Sequence, residues 1–159
     1  MLRFTVVPYS IATRIEGLCN INSGTVKEES NRAMGKDPQE WMKQADYDMD
    51  TASFMFEGGR YFYAVFLCHL SIEKALKGLY LKKMEEIPPK VHNLVFLMNR
   101  IGVKPPEFIG KFMIKLNEAH IATRYPEEIE NLYKNFTRSI VQDILTSSKE
   151  VLEWIREHY

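Results

Sequence analysis

The residues best equipped for chemistry are the four histidines, His69, His92, His120 and His158, and the charges spaced around them. His69, Glu73 and Lys77 recur at i, i+4 and i+8, so a helix would set an imidazole, a carboxylate and an ammonium in one row. Such a row can run acid–base chemistry or bind an anion. The plainer reading is a solvated helix face with a Glu–Lys pair worth about 0.3–0.5 kcal/mol. His120 and Arg124 stand at i, i+4 just before Tyr125-Pro126. An arginine at a helix end beside a tyrosine suits phosphate or carboxylate recognition; the alternative is an arginine that bonds the last helical carbonyls. Lys74, Lys77, Lys82, Lys83 and Lys90 make one stretch locally basic. That is the natural handle for a phosphate-bearing partner, set against an ordinary charged surface.

Other chemistries find less support. No histidine pair has HxxxH or HExxH spacing and no CxxC occurs, so the expectation is no metal site and no cofactor. Gly58-Gly59 precedes a helical stretch, and a helix N-terminus can hold an anion. The GxxxxGK[ST] and GxGxxG phosphate loops are nonetheless absent, which leaves a helix–helix turn as the simpler reading.

The elements that must position these groups are helices. Glu57–Tyr80 is the organising stretch, with Tyr61, Ala64, Val65, Cys68, Ile72, Ala75, Leu76 and Leu79 at helical spacing. A stripe that wide faces two neighbours at once, as a central bundle helix does. Small Ala64, Ala75 and Gly78 would let other helices approach closely. Before it, Asp37-Pro38-Gln39-Glu40 is a helix start: Asp37 caps, Pro38 fits N1 and Glu40 can reach back to the cap. Trp41, Ala45, Met49, Ala52 and Phe56 form the inward stripe of that first helix, with Asp46, Asp48 and Asp50 mostly outward. After Pro88-Pro89 a short helix runs over 93–100, with Leu94, Leu97, Met98 and Ile101 inward and Gly102 as its stop. A fourth covers 106–123 with Phe108, Phe112, Leu116 and Ala119 on one face. A last covers 131–157 with Phe136, Ile140, Ile144, Ser147, Val151 and Ile155. The fold class is therefore all-α, an antiparallel up-and-down bundle of four to five helices.

The totals agree with one such domain. The chain has 159 residues, is 45% hydrophobic and 26% charged, and balances 21 basic against 21 acidic residues, so no bulk field draws it to nucleic acid or membrane. Cys68 falls in the apolar stripe and Cys19 has no obvious mate, which reads as reduced thiol and a cytoplasmic protein. No apolar run approaches the roughly 20 residues of a membrane span.

Residues 1–33 stand apart from the helical domain 34–159. Phe4–Ile15 is β-branched but broken by Pro8, and Asn20–Arg32 is polar; neither pattern makes a secretory signal. An ordered arm, disorder and a segment not natively translated all stay open. Lys27-Glu28-Glu29 can be encoded by a ribosome-binding sequence a short distance before Met34, which makes Met34 a candidate start.

Taken in order, several elements resemble the HEPN domain family. They are Trp41-x3-Ala45-x2-Asp48, then Glu57-Gly58-Gly59-x-Tyr61-x2-Ala64-x4-His69 leading into Ile72-Glu73-Lys74-Ala75-Leu76-Lys77, then Val91-His92-Asn93-Leu94-x2-Leu97, and finally Ala122-Thr123-Arg124-Tyr125-Pro126. The resemblance spans Trp41 to Trp154. It implies a helical bundle that pairs as a homodimer, a link to nucleotides or RNA, and a minimal nucleotidyltransferase partner, as in toxin–antitoxin modules. Ribonuclease members carry Arg, four to six residues, then His. Here the positions that follow Arg124 at that spacing are Ile129, Glu130 and Asn131. Arg60 and His69 lie nine residues apart, about 900° around a helix, and so face opposite ways.

The expectation is accordingly a binding module rather than an enzyme, holding nucleotide or RNA phosphate through Lys74, Lys77, His92, Arg124 and Tyr125. Two alternatives stand beside it. One is a metal-independent ribonuclease with Arg124 and His92 or His120 meeting across a dimer. The other is a structural partner protein with no ligand.

Overall fold

The computed structural model describes residues 37–124 and 129–159. The expected extension 1–33, its boundary at Met34 and the candidate Tyr125 lie outside the described residues. Within them all regular structure is helical: α1 (Pro38–Glu57), α2 (Tyr61–Met84), α3 (Leu94–Ile101), α4 (Glu107–Arg124), α5 (Ile129–Asn135) and α6 (Arg138–Glu157). No strand occurs among the described residues, and no helix there is long and apolar enough to cross a membrane.

The described residues form six helices, one more than the four to five expected, because the segment read as one helix over 131–157 is two. Phe136 buries its ring against the core, and Thr137 then takes an extended conformation (φ −71°, ψ 162°) that starts α6 afresh. Neither Gly nor Pro marks this break, and its one local signal is the N-cap Thr137.

Helix α1 begins as its sequence dictates. Asp37 Oδ1 accepts the Gln39 N–H at 3.1 Å and Pro38 occupies the first turn. The Glu40 side chain turns along the helix toward Gln44 and Lys43 instead of reaching back to the cap. Gly58 and Gly59 close the helix, Gly59 with φ +71°, which only glycine adopts at no cost. The chain reverses there and α2 returns antiparallel along α1.

Helix α2 is the spine. It packs most extensively on α1, then on α6, and also meets α3, α4 and α5. Ala64, Val65, Cys68, Ile72, Ala75, Leu76 and Leu79 are fully buried in it. Burial pushes the Cys68 thiol up to about 11, so it stays a protonated, unreactive core group, and it forms no disulfide. Small residues decide how near the hairpin helices come. A Cβ placed on Gly78 would stand 3.0 Å from Trp41 Cβ and 3.1 Å from the Pro38 carbonyl oxygen. Alanine gains about 1 kcal/mol of helix preference over glycine, but overpacking against a backbone oxygen costs about 1–3 kcal/mol. Gly78→Ala is therefore expected to lower stability by about 1 kcal/mol net, and Gly78→Val by more, read as a shift in the urea midpoint.

Two helices keep only part of the expected stripe and add core residues one position along. In α4 the core takes the expected Leu116 with Ile109, Met113 and His120, while Phe108 is 60% exposed. In α6 it takes the expected Val151 and Ile155 with Val141, Leu145, Ser148, Leu152 and Trp154, while Ile140 is 45% exposed. Both helices carry two adjacent apolar stripes about 100° apart, and periodicity alone does not choose between them. The stripe of α3, Leu94, Leu97, Met98 and Ile101, is buried as read. Asp48, expected outward with its acidic neighbours, is instead buried and paired with Lys74 at 2.6 Å.

Candidate functional site

Helix α2 turns a polar row toward α3 and α4, and these helices cover it. The row expected to be solvated is therefore buried: His69 is 0%, Glu73 4% and Lys77 8% exposed. A carboxylate taken out of water must be paired or hydrogen-bonded to stay ionised. Glu73 meets that demand twice. Its Oε1 accepts from Lys77 Nζ at 2.7 Å, and its Oε2 accepts from His92 Nδ1 at 3.0 Å. Burial alone would push the Glu73 carboxyl up, but the hydrogen bonds from Lys77 and His92 outweigh it and hold Glu73 below the ordinary carboxylate range.

His92 enters from the segment between α2 and α3. Asn93 caps α3 by accepting the Phe96 N–H at 2.9 Å, which fixes the chain next to His92. The His92 side chain is 56% exposed. With Nδ1–H committed to Glu73, its Nε2 carries no protein hydrogen bond among the described residues. This is the arrangement that aims one nitrogen of an imidazole at an incoming group.

Behind His92 lies a second layer. Asn117 of α4 accepts the Leu94 N–H at 3.1 Å through Oδ1 and donates through Nδ2 to Asn93 Oδ1 at 3.3 Å. The same Oδ1 lies 3.3 Å from His69 Nε2, which assigns the His69 proton to that nitrogen. His69 Nδ1 is left 3.9 Å from Glu73 Oε2, beyond hydrogen-bond reach. His120 stacks face to face on His69, ring centroids 3.7 Å apart and 7° from parallel, and the Phe66 ring lies 5.6 Å from His120. Burial, and next the His120 ring, bring His69 down to about 4, so it is neutral near pH 7.

The structure thus gathers His92, His120 and Lys77 of the sequence candidates at one place. Lys74 points away to Asp48. Arg124 is the last residue of α4, one turn beyond His120; its side chain and Tyr125 are outside the described residues. Three site residues were not among the candidate contacts: Glu73, read as part of a solvated row, Asn93, which appeared inside a resembling motif, and Asn117, which no motif marked. Asn117 precedes His120 by three residues, a spacing that places the two on one helix face. No group of three or more His, Cys, Asp and Glu among the described residues is placed to hold a metal.

An all-helical domain whose central helix buries an imidazole–carboxylate–ammonium row beneath two neighbouring helices is what fold and site define. The chain belongs to the HEPN domain family, whose profile matches residues 38–158. Two solved structures share the fold. The crystal structure of ST0689, an archaeal HEPN homologue, is 26% identical and aligns with a TM-score of 0.63 over 77% of this chain and 97% of its own. TT1696 from Thermus thermophilus is 24% identical, with a TM-score of 0.66 over 77% of this chain and 98% of its own. No curated protein matches the chain.

Proposed function

We propose that this HEPN chain is a dimeric binding module that takes the phosphate of a nucleotide or RNA at His92, and acts with a minimal nucleotidyltransferase partner of toxin–antitoxin type. One observation carries the reading: a half-exposed imidazole whose Nδ1 is pinned by a buried carboxylate, leaving Nε2 for a ligand. Lys77 balances the Glu73 charge, so Glu73 can orient His92 without presenting an uncompensated anion to the ligand. Arg124 and Tyr125 stay candidate contacts in this reading, and Lys74 joins only by leaving Asp48. Titrating full-length protein with UMP and with single-stranded RNA at low salt tests it. Saturable binding, weakened about tenfold or more by His92→Ala with the helical content unchanged, is expected. No binding, or binding indifferent to His92→Ala, contradicts it.

The Glu73–His92 pair also favours a second reading, metal-independent RNA cleavage. His92 Nε2 would take the proton of a 2′-hydroxyl as that oxygen bonds to the adjacent phosphorus. The 5′-oxygen would then leave with a proton from a second acid, and Arg124 would face the phosphorane-like charge. Cleavage of RNA in EDTA, abolished by both His92→Ala and Arg124→Ala, is its signature; intact RNA rejects it.

A further inference from the structure

One apolar stripe on each of α4 and α6 stays at the edge of the core: Phe108, Phe112 and Ala119 on α4, Ile140 and Ile144 on α6. The two helices touch each other only sparsely, and a groove of about 380 Å³ runs between their stripes. Lys115 stands on its α4 wall and Asp143 on its α6 wall. Neither side chain has an ion-pair partner among the described residues, so opposite charges face each other across the groove without meeting. Apolar surface left in water forgoes about 25 cal/mol per Å², and folded monomers seldom expose a large patch of it. With α4 18 residues long and α6 20, the face is about 27 Å long and two helices, about 20 Å, wide. That is the scale of a stable interface, about 800 Å² per partner.

We propose that this groove is the face by which two copies of the chain pair, α4 of each lying on α6 of the other. The proposal rests on the dimeric reading above and names the surface that serves it. The charges select the occupant. A two-fold axis running along the groove, in the plane of contact, exchanges the two walls. Lys115 of one copy then meets Asp143 of the second copy, and the same contact recurs on the other side of the axis. An axis across the groove would instead set α4 on α4 and Lys115 on a wall of its own sign, which is unfavourable. The apolar stripes fill the middle of the interface and the two ion pairs form its rim. Asn117, which braces the chain next to His92, lies about 170° round α4 from the groove stripe. Pairing through the groove therefore leaves the His92 site of each copy uncovered.

Sedimentation equilibrium of the full chain over a range of concentrations tests this, and the mass of a dimer is expected. Ile140→Glu should shift the equilibrium to monomer with the helical content unchanged. Ile121→Glu, at a 62% exposed position on the far side of α4, should leave the dimer intact. Lys115→Glu and Asp143→Lys should each weaken pairing about tenfold or more, because each sets like charges together at both symmetric contacts. The two changes combined should restore it. A dimer indifferent to Ile140→Glu overturns this face and leaves the dimeric reading standing on another. A combined exchange that fails to restore a dimer lost in the single variants overturns the pairing of α4 on α6. An unaltered chain that is monomeric at every concentration overturns both the face and the dimeric reading, but not the phosphate site, which the UMP titration reads separately.

Discussion

Lys77→Ala is expected to lower the stability of the helical domain by about 3–5 kcal/mol, a large part of the total for a domain of this size. The loss comes less from the missing attraction than from what remains. Glu73 is 4% exposed, and without Lys77 its charge keeps only the hydrogen bond from half-exposed His92. Glu73→Gln leaves the opposite charge, Lys77, in the same position. Removing both charges together, as Glu73→Leu with Lys77→Met, should cost less than either single change, because apolar groups of similar size do not have to be desolvated. The exposed pair Lys111–Glu107, 2.5 Å apart, is the control; Lys111→Ala should cost about 0.5 kcal/mol or less. Urea unfolding with an unchanged slope measures all of these. A Lys77→Ala variant no weaker than Lys111→Ala would show that the row is solvated after all.

Acid should unfold this domain earlier than its core suggests. His69 is held near 4 in the folded protein and returns to the ordinary 6.5 when the chain unfolds. The unfolded state therefore binds a proton that the folded state refuses. Its contribution is fully present above about pH 6.5 and is lost as the pH falls from there to about 4, a span worth about 3 kcal/mol. Glu73, held below its ordinary range, acts in the same direction at lower pH: its stabilisation is present above the unfolded carboxylate value and disappears as Glu73 protonates. Stability measured from pH 8 to pH 4 should hold level down to about pH 6.5 and fall steeply below it. His69→Gln, which can still donate to Asn117, should flatten the fall. An equal slope in both proteins would mean that His69 does not titrate as its surroundings require.

How far the fold could be read in advance depended on whether each helix had one apolar stripe or two. Helices α1, α2 and α3 have a single apolar stripe, and their apolar cores, from Ala45 and Met49 to Leu94 and Leu97, followed from spacing alone. Helices α4 and α6 have two candidate stripes, and only packing against α2 selects Ile109 over Phe108 and Val141 over Ile140. The site was harder for a related reason. His69, Glu73 and Lys77 have the same spacing whether they face water or protein. What buries them is α3 and α4 arriving with His92, Asn117 and His120, contacts between residues 19 and 48 positions apart. A row of charges looks like surface until something is known to lie on top of it.

The central claim is that His92 Nε2 is the atom that meets a phosphate. Long-range proton–nitrogen NMR of the imidazole side chains, with UMP titrated into the full chain, tests it most directly. The account predicts a saturable change at His92 Nε2, a small change at His92 Nδ1, which stays on Glu73, and none at His158, whose Nδ1 faces the Trp154 carbonyl at 2.8 Å. An unchanged His92 Nε2 signal at saturating nucleotide, or a change centred on His158, would contradict it.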